Sequence, residues 1–140
     1  MSLEIVTIAR PLSMRPRITA FSERFWNGLA DGVFATTCCE GCGRLSFPPR
    51  PFCPHCWQEP VSWRTLSGRG TLYAHTTVHA APECFADELP YTNCIVDLME
   101  GLRVACRLHS RGAFLPPPDS PVRLVVLAYE DGCLFGASAE

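Results

Sequence analysis

Cys39-Glu40-Gly41-Cys42 and Cys53-Pro54-His55-Cys56 are two CxxC pairs separated by ten residues. Two residues between paired cysteines let one tight turn present both sulfurs to the same ion. Two such turns supply a tetrahedral Zn²⁺ site with bonds of about 2.3 Å. Gly41, Gly43 and Pro54 are residues that such turns favour. The spacing therefore assigns Cys39, Cys42, Cys53 and Cys56 as metal ligands, and the presence of two pairs argues against a redox CxxC. A closed four-sulfur site leaves no position for water or substrate, so its metal holds structure and does no chemistry. Cys38 makes the first ligand ambiguous by one position, but two intervening residues fit a knuckle better than three. His55, inside the second knuckle, reads as a solvated loop residue.

Other residues have the types needed for chemistry. Cys84, Cys94, Cys106 and Cys133 with His75, His79 and His109 supply the parts of a cysteine–histidine nucleophile pair. Cys94, Cys106 and Cys133 fall within apolar strand segments, where cysteine behaves as a small buried hydrophobe. Cys84 lies in the Pro82 to Pro90 loop and is the thiol expected to be exposed. No residue is assigned a catalytic role.

Composition bounds the setting of these groups. At 140 residues the chain is one compact unit, or two small modules that need each other, because a fold of this size buries only about two-thirds of its unfolded surface. The metal makes up a shortfall in core. The nine cysteines are odd in number and arranged as CxxC pairs, and Met1 to Ala20 is not a secretory leader, so a reducing cytoplasm is expected. No apolar run approaches the roughly 18 residues of a membrane span. All twelve basic residues are arginine, and the net charge is −2. Residues 1–70 hold eight arginines against five acids, and residues 71–140 hold four against nine.

The elements that must position these residues follow from periodicity. Residues 1–20, with Pro11 and Pro16, show no period and read as an N-terminal arm. Residues 21–36 hold a short helix from Ser22, a plausible N-cap, to near Gly32, with Phe21, Phe25, Trp26 and Leu29 on one face. Residues 37–66 form the zinc ribbon, stiffened by Phe47-Pro48-Pro49-Arg50-Pro51. Trp57 and Trp63 bracket its end and are expected to seal it against the next unit. Residues 67–140 are rich in β-formers. Gly70 to His79 is one strand; Tyr91 to Leu98 and Leu102 to Leu108 form a hairpin. Val122 to Tyr129 and Cys133 to Ser138 form a second, turning at Glu130-Asp131-Gly132 with glycine supplying a positive φ. The fold class is mainly β: an N-terminal helix, a ribbon and a five-stranded barrel of the OB type.

The order of features resembles one family. Phe25-Trp26-Asn27-Gly28-Leu29, Cys39-Glu40-Gly41-Cys42-Gly43, Phe47-Pro48-Pro49-Arg50, Cys53-Pro54-His55-Cys56, Trp63, Ser67-Gly68-Arg69-Gly70, Pro90-Tyr91 and Glu100-Gly101 follow one another as in the thiolase-associated family. Its members pair a rubredoxin-like zinc ribbon with an OB-fold and were long catalogued as a domain of unknown function. The resemblance covers roughly residues 21 to 138 and implies a non-catalytic accessory subunit bound to a thiolase-like or ketosynthase-like partner. That partner carries the nucleophilic cysteine, and acyl-CoA or an acyl intermediate is handled in the complex. Arg44, Arg50, Arg64 and Arg69 then offer guanidinium forks to coenzyme A phosphates. Arg50, on its rigid proline segment, is the residue assigned to a coenzyme A phosphate or partner contact. The acidic loop residues Glu83, Asp87 and Glu88 read as solvated or as a partner contact.

An OB barrel also raises the alternative of a nucleic-acid-binding module. Single-strand binders use a positively charged groove with stacking aromatics. Here residues 71–140 carry −5, with Arg103, Arg107, Arg111 and Arg123 the only basic residues, which argues against that class.

Overall fold

The computed structural model describes residues 2–110, 112 and 114–140, so Arg111 of the basic set lies outside the described residues. Five strands close a barrel: β5 (Arg69–Val78), β6 (Tyr91–Leu98), β7 (Arg103–Leu108), β8 (Pro121–Tyr129) and β9 (Gly132–Ala139). They pair around the barrel as β5–β6–β7–β9–β8 and back to β5, and only the β7–β9 contact is parallel. Alternation selects the inner face: Thr92, Cys94, Val96 and Leu98 of β6 are buried, while the residues between them are more open. Val122, Leu124 and Val126 of β8 join the same core. The expected mainly-β fold with a five-stranded barrel, one short helix and a ribbon is the one observed.

The ribbon is carried by a three-stranded sheet in which β2 (Ala35–Cys39) lies between β3 (Leu45–Ser46) and β4 (Val61–Thr65), antiparallel to both. Its buried hydroxyls are satisfied: Thr36 donates to the Ser46 carbonyl, and Thr37 accepts from the Arg50 amide at 3.0 Å. Helix α1 (Glu23–Ala30) buries Phe25 and Leu29. Ser22 flanks the helix without capping it; its Oγ instead accepts from the Thr19 amide at 2.8 Å. Phe25 of the helix, Phe34 and Phe47 of the ribbon and Phe135 of the barrel form one aromatic cluster with ring centroids 5.2–6.2 Å apart. These four rings join the two modules.

The N-terminal segment is not a free arm. β5 pairs only with Pro121–Arg123 of β8, which leaves the same edge bare further along, and unpaired edge groups are costly to bury. β1 (Glu4–Thr7) fills that gap in parallel register against Val125–Ala128. The chain then continues as a strap: Ile8 donates to the Ala128 carbonyl, Glu130 to that of Arg10, and the Leu12 amide to Asp131 at 2.7 Å.

Two further expectations are corrected. Gly132 does not have a positive φ; a Cβ there would lie 2.7 Å from Leu12 Cδ1, so a larger residue would turn the end of the Leu12 side chain aside. Trp57 does not seal the ribbon, being 75% exposed at its tip. Trp63 is half-buried against the core, and Phe21 lies against it at 5.5 Å. Among the described residues no helix is long and apolar enough to cross a membrane.

Two glycines give opposite outcomes on replacement by alanine. At Gly70 a Cβ would collide with the Asp97 carbonyl of the neighbouring strand, so Gly70→Ala should destabilise by about 1–3 kcal/mol. In α1 a Cβ at Gly28 meets nothing closer than 3.6 Å, so Gly28→Ala should stabilise by about 0.5–1 kcal/mol. Urea denaturation midpoints of the two variants check both signs.

Candidate functional site

Each CxxC pair sits in a hydrogen-bonded knuckle. In the first, Gly43 donates to the Cys39 carbonyl and Cys39 to that of Arg44, both at 3.0 Å, and Gly43 adopts φ +78°. In the second, Trp57 donates to the Cys53 carbonyl at 2.8 Å and adopts φ +63°. Gly43 and Trp57 both follow the second cysteine of their pair, so the two turns repeat one geometry. Glycine enters the left-handed region freely, whereas a side chain there costs about 1–2 kcal/mol. The second knuckle carries that strain on an exposed tryptophan stacked on Phe52 at 5.5 Å.

The turns aim backbone donors at sulfur. Gly41 and Cys42 donate to Cys39 Sγ at 3.3 Å each, and His55 donates to Cys53 Sγ at 3.4 Å. Cys39, Cys42, Cys53 and Cys56 bring their four sulfurs within 4.8 Å of one another, and the Cys39–Cys56 and Cys42–Cys53 pairs stand at 3.5 Å. A tetrahedron of sulfurs around an ion at 2.3 Å has edges of about 3.8 Å. The donor set and its spacing therefore fit a four-thiolate zinc site. Cys38 is turned away, its thiol donating to the Gly43 carbonyl at 3.5 Å. His55 is exposed, and the four cysteines are the one group of ligand spacing among the described residues.

The thiols pull against one another. The Cys42 amide, opposed by burial and helped by the Gly41 amide and neighbouring thiols, lowers Cys39 to about 6. Cys56 is pushed up: the Gln58 amide favours its thiolate, but burial and the sulfurs of Cys39, Cys53 and Cys42 outweigh it. Four thiolates cannot coexist in this space without a cation, and a divalent ion reverses the repulsion.

Arg50 is exposed beside the ribbon, its backbone pinned by Thr37. Arg44 and Arg64 are exposed too, and Arg69 lies 4.0 Å from Glu140. Cys84 is exposed on a short 3-10 turn, Glu83–Glu88. Cys133 is half-buried, and burial pushes its thiol up. Cys94 and Cys106 face one another at 3.7 Å. One feature has no sequence signal: β7 and β9 pair only at Arg107–Gly136 and Leu108–Ala137. Beyond that contact a cleft of about 360 Å³ opens, lined by Trp26, Cys106, Leu127, Tyr129, Leu134 and Phe135 among others.

A family model for the ChsH2 rubredoxin-like zinc ribbon domain matches residues 26–61, and one for the ChsH2 C-terminal OB-fold domain matches residues 63–127. The chain belongs to this family of zinc-ribbon and OB-fold proteins, the thiolase-associated DUF35 family. It is 39% identical to a DUF35 domain-containing scaffold protein of Methanocaldococcus jannaschii over 47% of this chain and 48% of that protein. It is 33% identical to the benzoylsuccinyl-CoA thiolase subunit BbsA of Thauera aromatica over 67% of this chain and 66% of that subunit. The match thus spans about half the length of the scaffold relatives. Among solved structures, a chain of the Ltp2-ChsH2(DUF35) aldolase superposes with a TM-score of 0.75 at 27% identity, covering 89% of this chain and 98% of that one.

Glu88 turns out to be structural rather than solvated. It accepts from Arg107 at 2.9 Å, with 10% of its side chain exposed, and Arg107 in turn lies 3.8 Å over the Tyr91 ring. Burial acts to raise the Glu88 carboxyl, but the neighbouring Ser13 hydroxyl and the hydrogen bond from Arg107, with the charges of Arg107 and Arg10, together hold it below the ordinary value. A depressed carboxylate contributes stability that is present above its unfolded pKa of about 4.3 and is lost as pH falls through the lower folded value. Glu88→Gln should therefore cost about 1.5–3 kcal/mol at pH 7. The gap to the wild type should close as urea melts are repeated at successively lower pH below 4.3.

Proposed function

We propose that this chain is a non-catalytic, zinc-holding accessory subunit of a thiolase-superfamily acyltransferase or condensing complex. The observation that carries the reading is the closed set of four sulfurs within 4.8 Å in a chain whose relatives include a scaffold protein and a thiolase subunit. Cys39, Cys42, Cys53 and Cys56 hold one Zn²⁺, which rigidifies the ribbon and, with no open position, takes no part in acyl chemistry. We divide the chain into an arm (1–20), helix (21–36), ribbon (37–66) and OB barrel (67–140). The ribbon and barrel together form the docking face. The partner, thiolase-like or ketosynthase-like, supplies the nucleophilic cysteine and carries the acyl group.

Exposed groups around the ribbon support docking there. Trp57 stands 75% exposed at its tip, and Arg44, Arg50 and Arg64 present guanidinium groups to solvent. Arg50 is the contact for a partner carboxylate or a coenzyme A phosphate, both of which suit its planar fork. The apolar cleft beside Trp26 and Phe135 is the surface offered to an acyl intermediate at the complex interface.

The test is a native pull-down of the tagged chain, with mass spectrometry of the partners and metal analysis of the bait. A thiolase-superfamily partner and about one zinc per chain is the expected result; nucleic acid or no partner at all overturns it. Two variants sharpen the assignment. Cys42→Ser or Cys56→Ser should lose zinc and unfold the ribbon, because structural zinc binding in finger peptides is worth about 10–16 kcal/mol and is coupled to folding; an unchanged melting profile at full zinc content would reject the ligand set. Arg50→Ala should leave zinc content and melting unchanged while weakening complex formation or acyl-CoA binding by the complex.

A further inference from the structure

β6 and β7 run antiparallel with Cys94 directly opposite Cys106, and the two sulfurs lie 3.7 Å apart. Cys94 shares the inner face of β6 with Thr92, Val96 and Leu98, and Cys106 shares one face of β7 with Val104 and Leu108. Residues directly opposite in an antiparallel pair have Cα atoms about 4.5 or 5.5 Å apart. Either spacing lies within the roughly 4.4–6.8 Å that a disulfide spans. Closing 3.7 Å to the roughly 2.05 Å of an S–S bond thus needs side-chain rotation together with a small approach of the two strands, because directly opposite Cβ atoms stand about 4.5–5.5 Å apart and a disulfide holds them at roughly 3.5–4.5 Å. We infer that Cys94 and Cys106 are a redox modification site, forming an intrachain disulfide when the protein meets a peroxide.

The pair is poised electronically as well as geometrically. The hydrogen bond from Cys106 draws the Cys94 thiol below its ordinary value against the effect of burial. The same bond, with burial, pushes Cys106 well above it. The contact thus favours one thiolate per pair, and the thiolate is the nucleophile. It attacks one peroxide oxygen: an S–O bond forms, the O–O bond breaks, and the departing hydroxide takes a proton to become water. The other sulfur of the pair then attacks the sulfenic sulfur: the S–S bond forms, the S–O bond breaks, and the hydroxyl leaves as a second water with that thiol's proton. Two thiols are oxidised and one peroxide is reduced. Cys106 lines the open cleft between β7 and β9, which is the route for so small an oxidant.

The ribbon sulfurs stand closer still, at 3.5 Å, and differ in that a bound cation masks them. The test therefore uses the full zinc-loaded chain, titrated with hydrogen peroxide only as far as zinc remains bound, then blocked with an alkylating agent and mapped by peptide mass spectrometry. The expected result is a loss of about 2 Da with a Cys94–Cys106 linkage, reversed by dithiothreitol. Cys94→Ser and Cys106→Ser should each abolish it, whereas Cys84→Ser and Cys133→Ser should leave it intact. Alkylation of both Cys94 and Cys106 in the treated wild type, or their linkage to Cys84 or Cys133 instead, overturns the inference.

Discussion

Four sulfurs drawn within 4.8 Å of one another are the constraint on which the ribbon half depends. The two knuckles belong to a sheet whose strands are five, two and five residues long, too little to bury much apolar surface. Backbone donors and the turn geometry gather the thiols, yet gathered thiolates repel. A divalent cation removes the conflict and converts the arrangement into a cross-link between residues that are distant in sequence. Without it the donors that ease one thiol toward ionisation, at Cys39, are opposed by the pressure that keeps Cys56 protonated.

The aromatic cluster carries that local order to the rest of the molecule. Phe34 precedes the first ribbon strand and Phe47 follows the second, so both are fixed by the same sheet that ends in Cys39. Phe25 and Phe135 meet them edge-on from the helix and the barrel. Such contacts contribute roughly 0.5–1.5 kcal/mol per pair beyond area burial, and they are directional. The ribbon is thereby held at a defined attitude to the barrel.

Local patterns made much of this legible. The CxxC spacing, the β-rich runs and the Glu100-Gly101 and Asp131-Gly132 turns are signals contained in a few adjacent residues, and the strands β5 to β9 fall within a residue or two of where those signals place them. Features that depend on distant partners were not legible. β1 exists because β5 stops short on β8; its own sequence, Glu4 to Thr7, carries too little pattern to announce a strand. Gly132 looks like a turn glycine, yet what it faces is the Leu12 side chain, well over a hundred residues earlier. Trp57 reads as core from its type, whereas its place after a CxxC pair forces it outward. The cleft between β7 and β9 and the Cys94–Cys106 pairing both depend on strand register, which no single segment specifies.

Charge pairing separates the two halves in a way that net charge alone does not. The barrel's described arginines each lie near a carboxylate: Arg69 is 4.0 Å from Glu140, Arg103 forks onto Asp97 at 2.6 and 3.0 Å, Arg107 donates to Glu88 and Arg123 to Glu4. Arg103 and Arg107 also lie 3.8 Å over the rings of Tyr73 and Tyr91, which occupies the aromatic faces that stacked bases would need. Those guanidinium groups therefore serve the barrel's own stability rather than a polyanion. The ribbon arginines Arg44, Arg50 and Arg64 are exposed and no carboxylate is paired with them among the described contacts. Exposed arginines with no carboxylate partner among the described contacts thus lie in the ribbon and, at Arg17 and Arg24, on the segment and helix before it. That arrangement suits one well-placed contact, such as a phosphate or carboxylate at a subunit interface, better than the continuous basic track that a nucleic acid demands.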